Sequence, residues 1–250
     1  MKLLAIDSSG LVASVAVIEE ETLVAEYTMN YKKTHSQTLL PMLDEISNMT
    51  ELDLSTIDAI AVAGGPGSFT GLRIGSATAK GLGLALEKPL ISIPTTAAIA
   101  YNIWDTNKFV CPIMDARRNQ VYTGVYCYTD HRLDTVWEQD TMSIEALAEG
   151  LNCLDHEVIF LGDGVAVYRK KLQELLTIPF SFAPAHVNRQ RAAAVAALAE
   201  VYYKEGKIQT AEEPEPEYLR KSQAERERAE RESVKHADVL KKQKNGEKSE

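Results

Sequence analysis

The chain has 250 residues, 45% of them hydrophobic, and a formal net charge of −9. That is enough apolar material for one large or two ordinary domains with a real core, which excludes disorder throughout. The acidic balance makes the body a poor independent binder of nucleic acid, because phosphates call for neutralising cations, and leaves the tail to supply a few local contacts.

The charge is uneven: residues 217–250 hold ten Lys/Arg against eight Asp/Glu, and residues 1–216 hold 17 against 28. Cys111, Cys127 and Cys153 have no metal-like spacing, which fits buried thiols in a reducing compartment. No basic-apolar-small leader opens the sequence, and no apolar run approaches the ~18 residues of a membrane span. A cytoplasmic location is expected.

Leu3-Leu4-Ala5-Ile6 reads as a strand ending at Asp7-Ser8-Ser9-Gly10. Apolar runs at Val12, Val15 and Val17 and at Leu23-Val24-Ala25 continue it as a meander. Two readings of the Asp7–Ser9 turn stand. It holds a phosphate or a metal-bound water anchored by Asp7, or it is closed by its own side-chain hydrogen bonds. Next, Leu39, Leu40, Met42, Leu43 and Ile46 recur at helical spacing, with Thr34 or Ser36 as the cap. Pro41 there marks a first turn or a kink. This stripe serves either a core or an interface. His35 has no second histidine four residues on, so a helical metal pair is not expected.

The sequence is organised around Ala63-Gly64-Gly65-Pro66-Gly67-Ser68-Phe69-Thr70-Gly71, between an incoming strand, Ile57 to Val62, and an outgoing helix, Leu72 to Leu86. Successive amides in such a turn receive an anion or another polar group. Alternatively, the glycines only let the turn pack tightly. The turn has no P-loop lysine and is not GxGxxG. Gly75, Gly81 and Gly83 in the helix each cost roughly 1 kcal/mol relative to alanine, which close packing is expected to offset. Arg73 either answers a carboxylate near the turn or points to water.

Pro89 to Ile93 predicts a strand and Thr95 to Trp104 a short helix, a rhythm that implies α/β layers with a mixed sheet. Phe109–Met114 and Val121–Tyr128 form a hairpin around Asp115-Ala116-Arg117-Arg118-Asn119. Asp115 with Arg117 or Arg118 is a site pair or a salt-bridged turn. Leu133–Trp137 predicts a strand, and Ser143 caps a short helix. Val158–Leu161 ends at a second glycine turn, Gly162-Asp163-Gly164, followed by a helix from Val165 to Leu176. Asn188 to Tyr203 is the last expected helix. Pro214 and Pro216 stop the pattern, Tyr218-Leu219-Arg220 reads as a short anchor, and the remainder is a charged tail without a core of its own.

Catalytic signatures are scarce: there is no Gly-x-Ser-x-Gly, Cys-x-x-Cys or His-Glu-x-x-His, and the five histidines are scattered. The strand-end turns at Asp7–Gly10 and Gly162–Gly164, with the glycine turn between them, suit a two-lobed nucleotide cleft.

In family order, the chain carries Leu4-Ala5-Ile6-Asp7-Ser8-Ser9, His35-Ser36-Gln37-Thr38-Leu39-Leu40-Pro41, Gly65 to Gly75, Ala79-Lys80-Gly81, Asp115-Ala116-Arg117-Arg118 with Val121-Tyr122, and Tyr218-Leu219-Arg220. On these residues it resembles the bacterial TsaB/YeaZ family of the actin/Hsp70-like ATPase-fold superfamily. The resemblance implies an α/β, two-lobed, ribonuclease H-like fold with a reduced second lobe. The N-terminal lobe would span 1–104, the smaller lobe 105–188, a returning helix and segment 189–220, and the charged tail 221–250. The implied role is a non-catalytic scaffold and activator of TsaD in threonylcarbamoylation of adenosine 37 of tRNAs reading ANN codons. The ATPase TsaE joins the complex, and tRNA is met only through it. No cofactor and no metal are implied. A nucleotide site at Asp7, Ser8, Ser9, Gly65 and Gly67 would be vestigial. One helical surface serves both TsaD and a competing homodimer: His35, Leu39, Leu40, Leu43, Ile46, Arg73, Ile74, Ala77 and Lys80. The alternative is a nucleotide-binding ATPase or small-molecule kinase of the same fold. The chain departs from the family at the Ser8 and Gly64 positions and in its longer tail.

Overall fold

Near-continuous apolar runs buried on both faces in Lys2–Asp7 (β1) and Ala13–Glu19 (β2), with the more exposed Thr22–Met29 (β3), build an antiparallel meander, with Leu4 opposite Val17 and Val15 opposite Tyr27. Ala59–Gly65 (β4) then pairs parallel to β1, and Leu90–Pro94 (β5) parallel to β4. The order is β3-β2-β1-β4-β5. The same wiring recurs in Phe109–Arg117 (β6), Gln120–Thr129 (β7), Arg132–Ser143 (β8), Val158–Leu161 (β9) and Phe180–Phe182 (β10). β6, β7 and β8 form the meander, and β9 and β10 add in parallel, giving β10-β9-β6-β7-β8. In the second copy the last two strands have only four and three residues, while its three meander strands are longer than those of the first. This computed structural model describes residues 1–211 and 217–219. The anchor residue Arg220 and the tail lie outside the described residues.

Helices fill the connections. Leu39–Thr50 (α1) follows a 3₁₀ turn at His35–Gln37, and Phe69–Leu86 (α2) links β4 to β5. Ile144–Leu154 (α4) and Gly164–Leu175 (α5) occupy the matching places in the second half. Thr95–Ala100 (α3) and Ala192–Lys204 (α6) pack on each other, and α6 crosses β1, β2 and β5. One core cluster runs through Leu3, Ala5, Ile91, Ile93, Val110, Met114, Leu161, Val195 and Ala199, so it draws on both sheets. All of these elements belong to the unit Met1–Glu217.

Three boundaries differ from the sequence reading. The helix expected from Asn188 starts at Ala192, because Arg191 is extended at φ −146. The first helical amides are capped from far away: Ala192 N donates to Ser14 Oγ at 2.9 Å and Ala193 N to Glu26 Oε1 at 3.1 Å. A carboxylate there also complements the helix dipole. The helix expected to reach Trp104 stops at Ala100, and the strand expected to end at Trp137 continues to Ser143. Pro41 sits in the first turn of α1, where a missing amide hydrogen costs no helical bond.

Candidate functional site

The Asp7–Gly10 turn and the glycine motif meet at the ends of β1 and β4. Ser68 N donates to Ser9 O at 2.7 Å, and Ser8 Oγ donates to Gly71 O at 2.9 Å. A Cβ on Gly67 would lie 2.3 Å from Ser9 O, and one on Gly71 would lie 2.1 Å from Ser8 O. Both contacts are with backbone that cannot turn aside, so only glycine permits this closure. Ser68 also caps α2 through its side chain, which accepts from Gly71 N. Gly65 is buried, and its amide donates to Thr95 Oγ1 at 3.1 Å. The motif therefore ties itself to the β1 turn and to α3, and Gly64 O accepts from Glu217 N at 2.7 Å.

Asp7 has no exposed surface. Its Oδ1 accepts from Ser9 N at 2.9 Å and Ser9 Oγ at 2.7 Å. Its Oδ2 is buried without a hydrogen-bond partner among the described residues. Burial holds the Asp7 carboxyl above its ordinary value, against the pull of the Ser9 hydrogen bonds and of His35. His35 Nε2 lies 2.9 Å from Gly10 O, and a carbonyl only accepts, so that nitrogen carries the hydrogen. The ring thus ties the start of α1 to the same turn. Gln190 packs fully buried against Gly10, and neither atom of its amide has a partner among the described residues. Sequence reasoning missed Gln190, because nothing local marks a loop glutamine that closes on a turn 180 positions earlier.

The expected interface residues divide. Leu39, Leu43 and Ile46 are 2, 5 and 4% exposed and pack with Leu4, Ile6, Val15 and Val17. Their expected place in an interface is corrected to the core, since this stripe faces the sheet beneath α1. Leu40 on the opposite face is 54% exposed. On α2, Arg73 and Ala77 are exposed and Ile74 and Lys80 half-buried, and the Arg73 guanidinium lies 4.0 Å from the centre of the Phe69 ring. α1 and α2 touch, so Leu40, His35, Arg73 and Ala77 sit on adjoining elements.

In the second half, Asp115 Oδ1 accepts from Arg117 N at 2.8 Å and from Tyr168 Oη at 3.2 Å. The turn is closed through backbone, with Arg117, Arg118 and Asn119 all left-handed. Among the described residues no group of three or more His, Cys, Asp or Glu is placed to hold a metal ion, and no helix is long and apolar enough to cross a membrane.

A doubled 3-2-1-4-5 sheet order, with glycine turns at the ends of the fourth strands, defines an actin-like ATPase-type α/β protein. The family model described as TsaD, tRNA N6-adenosine threonylcarbamoyltransferase, matches residues 22–228. The tRNA threonylcarbamoyladenosine biosynthesis protein TsaB of Bacillus subtilis is 32% identical over 90% of this chain and 96% of its own length. That of Escherichia coli is 30% identical over 90% and 96%. A crystal structure from Pseudomonas aeruginosa, titled as an uncharacterized protein with similarity to peptidase YEAZ, superposes with a TM-score of 0.77. It is 27% identical and covers 88% of this chain and 99% of its own. The chain belongs to the TsaB/YeaZ family.

Proposed function

We propose that the chain is a non-catalytic scaffold and activator of TsaD in threonylcarbamoylation of adenosine 37 of tRNAs reading ANN codons. The observation that carries this reading is the closed β1 turn. In a fold of this type that turn faces a nucleotide, yet here Asp7, Ser8 and Ser9 are buried: Asp7 accepts from Ser9, Ser8 Oγ donates to Gly71 O, and Ser9 O accepts from Ser68 N. Asp7, Ser8, Ser9, Gly65 and Gly67 are then structural residues of a former phosphate turn. The acidic body meets tRNA only through the complex. In this reading the chain works in the cytoplasm, with TsaE as the ATPase of the assembly.

The partner surface is the α1–α2 face: Leu40, Arg73 and Ala77, flanked by His35, Ile74 and Lys80. A homodimer formed when the chain is alone uses the same face and competes with TsaD. Small residues on α2 permit close helix approach, and Leu40 supplies an apolar centre.

The test is reconstitution of the full chain with TsaD, TsaE, threonylcarbamoyl-adenylate, ATP and a substrate tRNA. Modification that depends on the chain, and drops at least about tenfold with Leu40→Asp plus Ala77→Arg, is expected. Full modification without the chain overturns the role. ATP turnover by the chain alone, lost in Asp7→Ala, would instead establish an ATPase or kinase.

A further inference from the structure

The chain seats cations of its own on several aromatic rings. The Arg73 guanidinium lies 4.0 Å from the centre of the Phe69 ring, that of Arg169 4.0 Å from the Phe182 ring, and Lys207 Nζ 4.5 Å from the Tyr202 ring. Trp104 carries no such cation among the described residues. Yet indole is the best cation acceptor of the aromatic side chains. Trp104 is also 57% exposed, whereas Phe69, Phe182 and Tyr202 are half-buried.

The indole is held in place from two sides. Trp104 lies in the loop from α3 to β6. It meets Tyr101 at 5.5 Å and Tyr128 of β7 at 5.4 Å, edge to face with both, and those two rings lie 6.5 Å apart. Its neighbour Asp105 is left-handed, at φ 50, and accepts through Oδ2 from His131 Nδ1 at 2.7 Å. That contact ties the loop to the turn between β7 and β8. An exposed ring fixed in this way loses little freedom when a ligand covers it.

The surroundings select the charge of that ligand. Burial pushes the Tyr101 and Tyr128 hydroxyls up, and the carboxylates of Glu200 at the first and Asp105 at the second add to the rise. Asp130 precedes His131 in the same turn, exposed and without an ion pair among the described residues. Neighbouring cations are already taken: Arg132 Nη2 lies 3.4 Å and Lys207 Nζ 2.7 Å from Glu205, and Lys204 Nζ 3.0 Å from Glu200. Carboxylates here repel a phosphate, which disfavours a stacked nucleotide. They and the ring faces together attract a cation. A guanidinium suits the place better than an ammonium, because it is planar, weakly hydrated and stacks on a ring.

We infer that Trp104, with Tyr101, Tyr128, Asp105 and Asp130, is a docking site for an arginine side chain on a basic segment of a partner protein. The site stands on the α3–β6 loop and the β7–β8 turn. α1 packs instead on β2 and β3, and α2 on β1, β4 and β5. The inference therefore does not rest on what docks on the α1–α2 face.

Calorimetric titration of the full chain tests this, with a short arginine–glycine peptide, a lysine–glycine peptide of the same length and charge, and adenosine monophosphate. The arginine peptide should bind with a Kd below about 10 mM, at least about threefold tighter than the lysine peptide. Attraction to the acidic body as a whole would draw both peptides alike. Trp104→Ala should abolish the preference for arginine, with unchanged circular dichroism. Asp130→Asn, which suits the left-handed backbone at φ 49, should weaken the arginine peptide at least about twofold. The absence of binding, or equal binding of the two peptides, overturns the inference. So does a preference for arginine that survives Trp104→Ala. Adenosine monophosphate bound more tightly than the arginine peptide overturns it in favour of a base-stacking site.

Discussion

The two halves share one strand order and treat the turn after their first strand in opposite ways. In the first, Asp7, Ser8 and Ser9 are sealed beneath the glycine motif and the start of α2. In the second, Asp115, Arg117, Arg118 and Asn119 stand exposed, and a left-handed backbone run closes the turn with the Asp115–Arg117 contact and side-chain bonds from Tyr168 to Asp115 and from Lys171 to Asn119. The wiring is common to both, so it does not decide the chemistry. The loop that lies over the strand end does, because it sets whether a carboxylate meets solvent or packs as a core residue.

The largest effect should come from reopening the sealed turn. Gly71→Val puts carbon inside the contact distance of Ser8 O, a backbone atom with nowhere to go. We expect a loss of more than about 3 kcal/mol in urea unfolding, or no soluble protein. The matching turn in the second half should tolerate change: Arg118→Ala should stay within about 0.5 kcal/mol. Equal sensitivity at both positions would break the comparison.

A second contrast lies within α1. Leu43→Ala leaves a cavity in the core beside Val15 and should cost about 2–5 kcal/mol. Leu40→Ala, on the other face, should leave stability within about 0.5 kcal/mol and weaken partner activation instead. If Leu40→Ala destabilises as Leu43→Ala does, the exposed face is not a free surface.

This pair also marks what the sequence could tell. The 3.6-residue spacing of Leu39, Leu43 and Ile46 located the helix, but an amphipathic stripe looks the same whether it buries itself or docks a partner. The sheet beneath decided it, and β2 and β3 come from elsewhere in the chain. Glycine spacing likewise announced a tight turn after β4. It did not announce what the turn closes on, since Ser8 and Ser9 lie some sixty positions earlier. The start of α6 was misplaced for the same reason. Its caps, Ser14 and Glu26, are side chains of β2 and β3, invisible to any local capping rule.

A smaller effect tests the electrostatics of the seal. Burial raises the Asp7 carboxyl above its ordinary 3.8, so the folded state holds that proton more tightly than the unfolded chain does. The unfolded chain then binds fewer protons as pH rises from about 3.8 towards the folded value, and this group removes stability across that window. Asp7→Asn keeps the Ser9 acceptor and removes the charge. It should stabilise the chain at pH 7, with the gain shrinking as pH approaches 4. A gain independent of pH would mean that the carboxyl is not strained by burial.

The smallest effect asks whether every glycine of α2 serves the closure. Gly71 and Gly75 abut Ser8, and Gly83 abuts Leu90, whereas a Cβ on Gly81 meets nothing within 4 Å. Gly81 is exposed in the helix interior, so its cost in backbone entropy has no packing return in the isolated chain. Gly81→Ala should raise stability by about 0.5–1 kcal/mol, read as a shift in the urea midpoint at constant slope. If the same substitution weakens TsaD activation or self-association, Gly81 is kept for close approach by a partner helix. The α2 surface then extends at least one turn beyond Ala77.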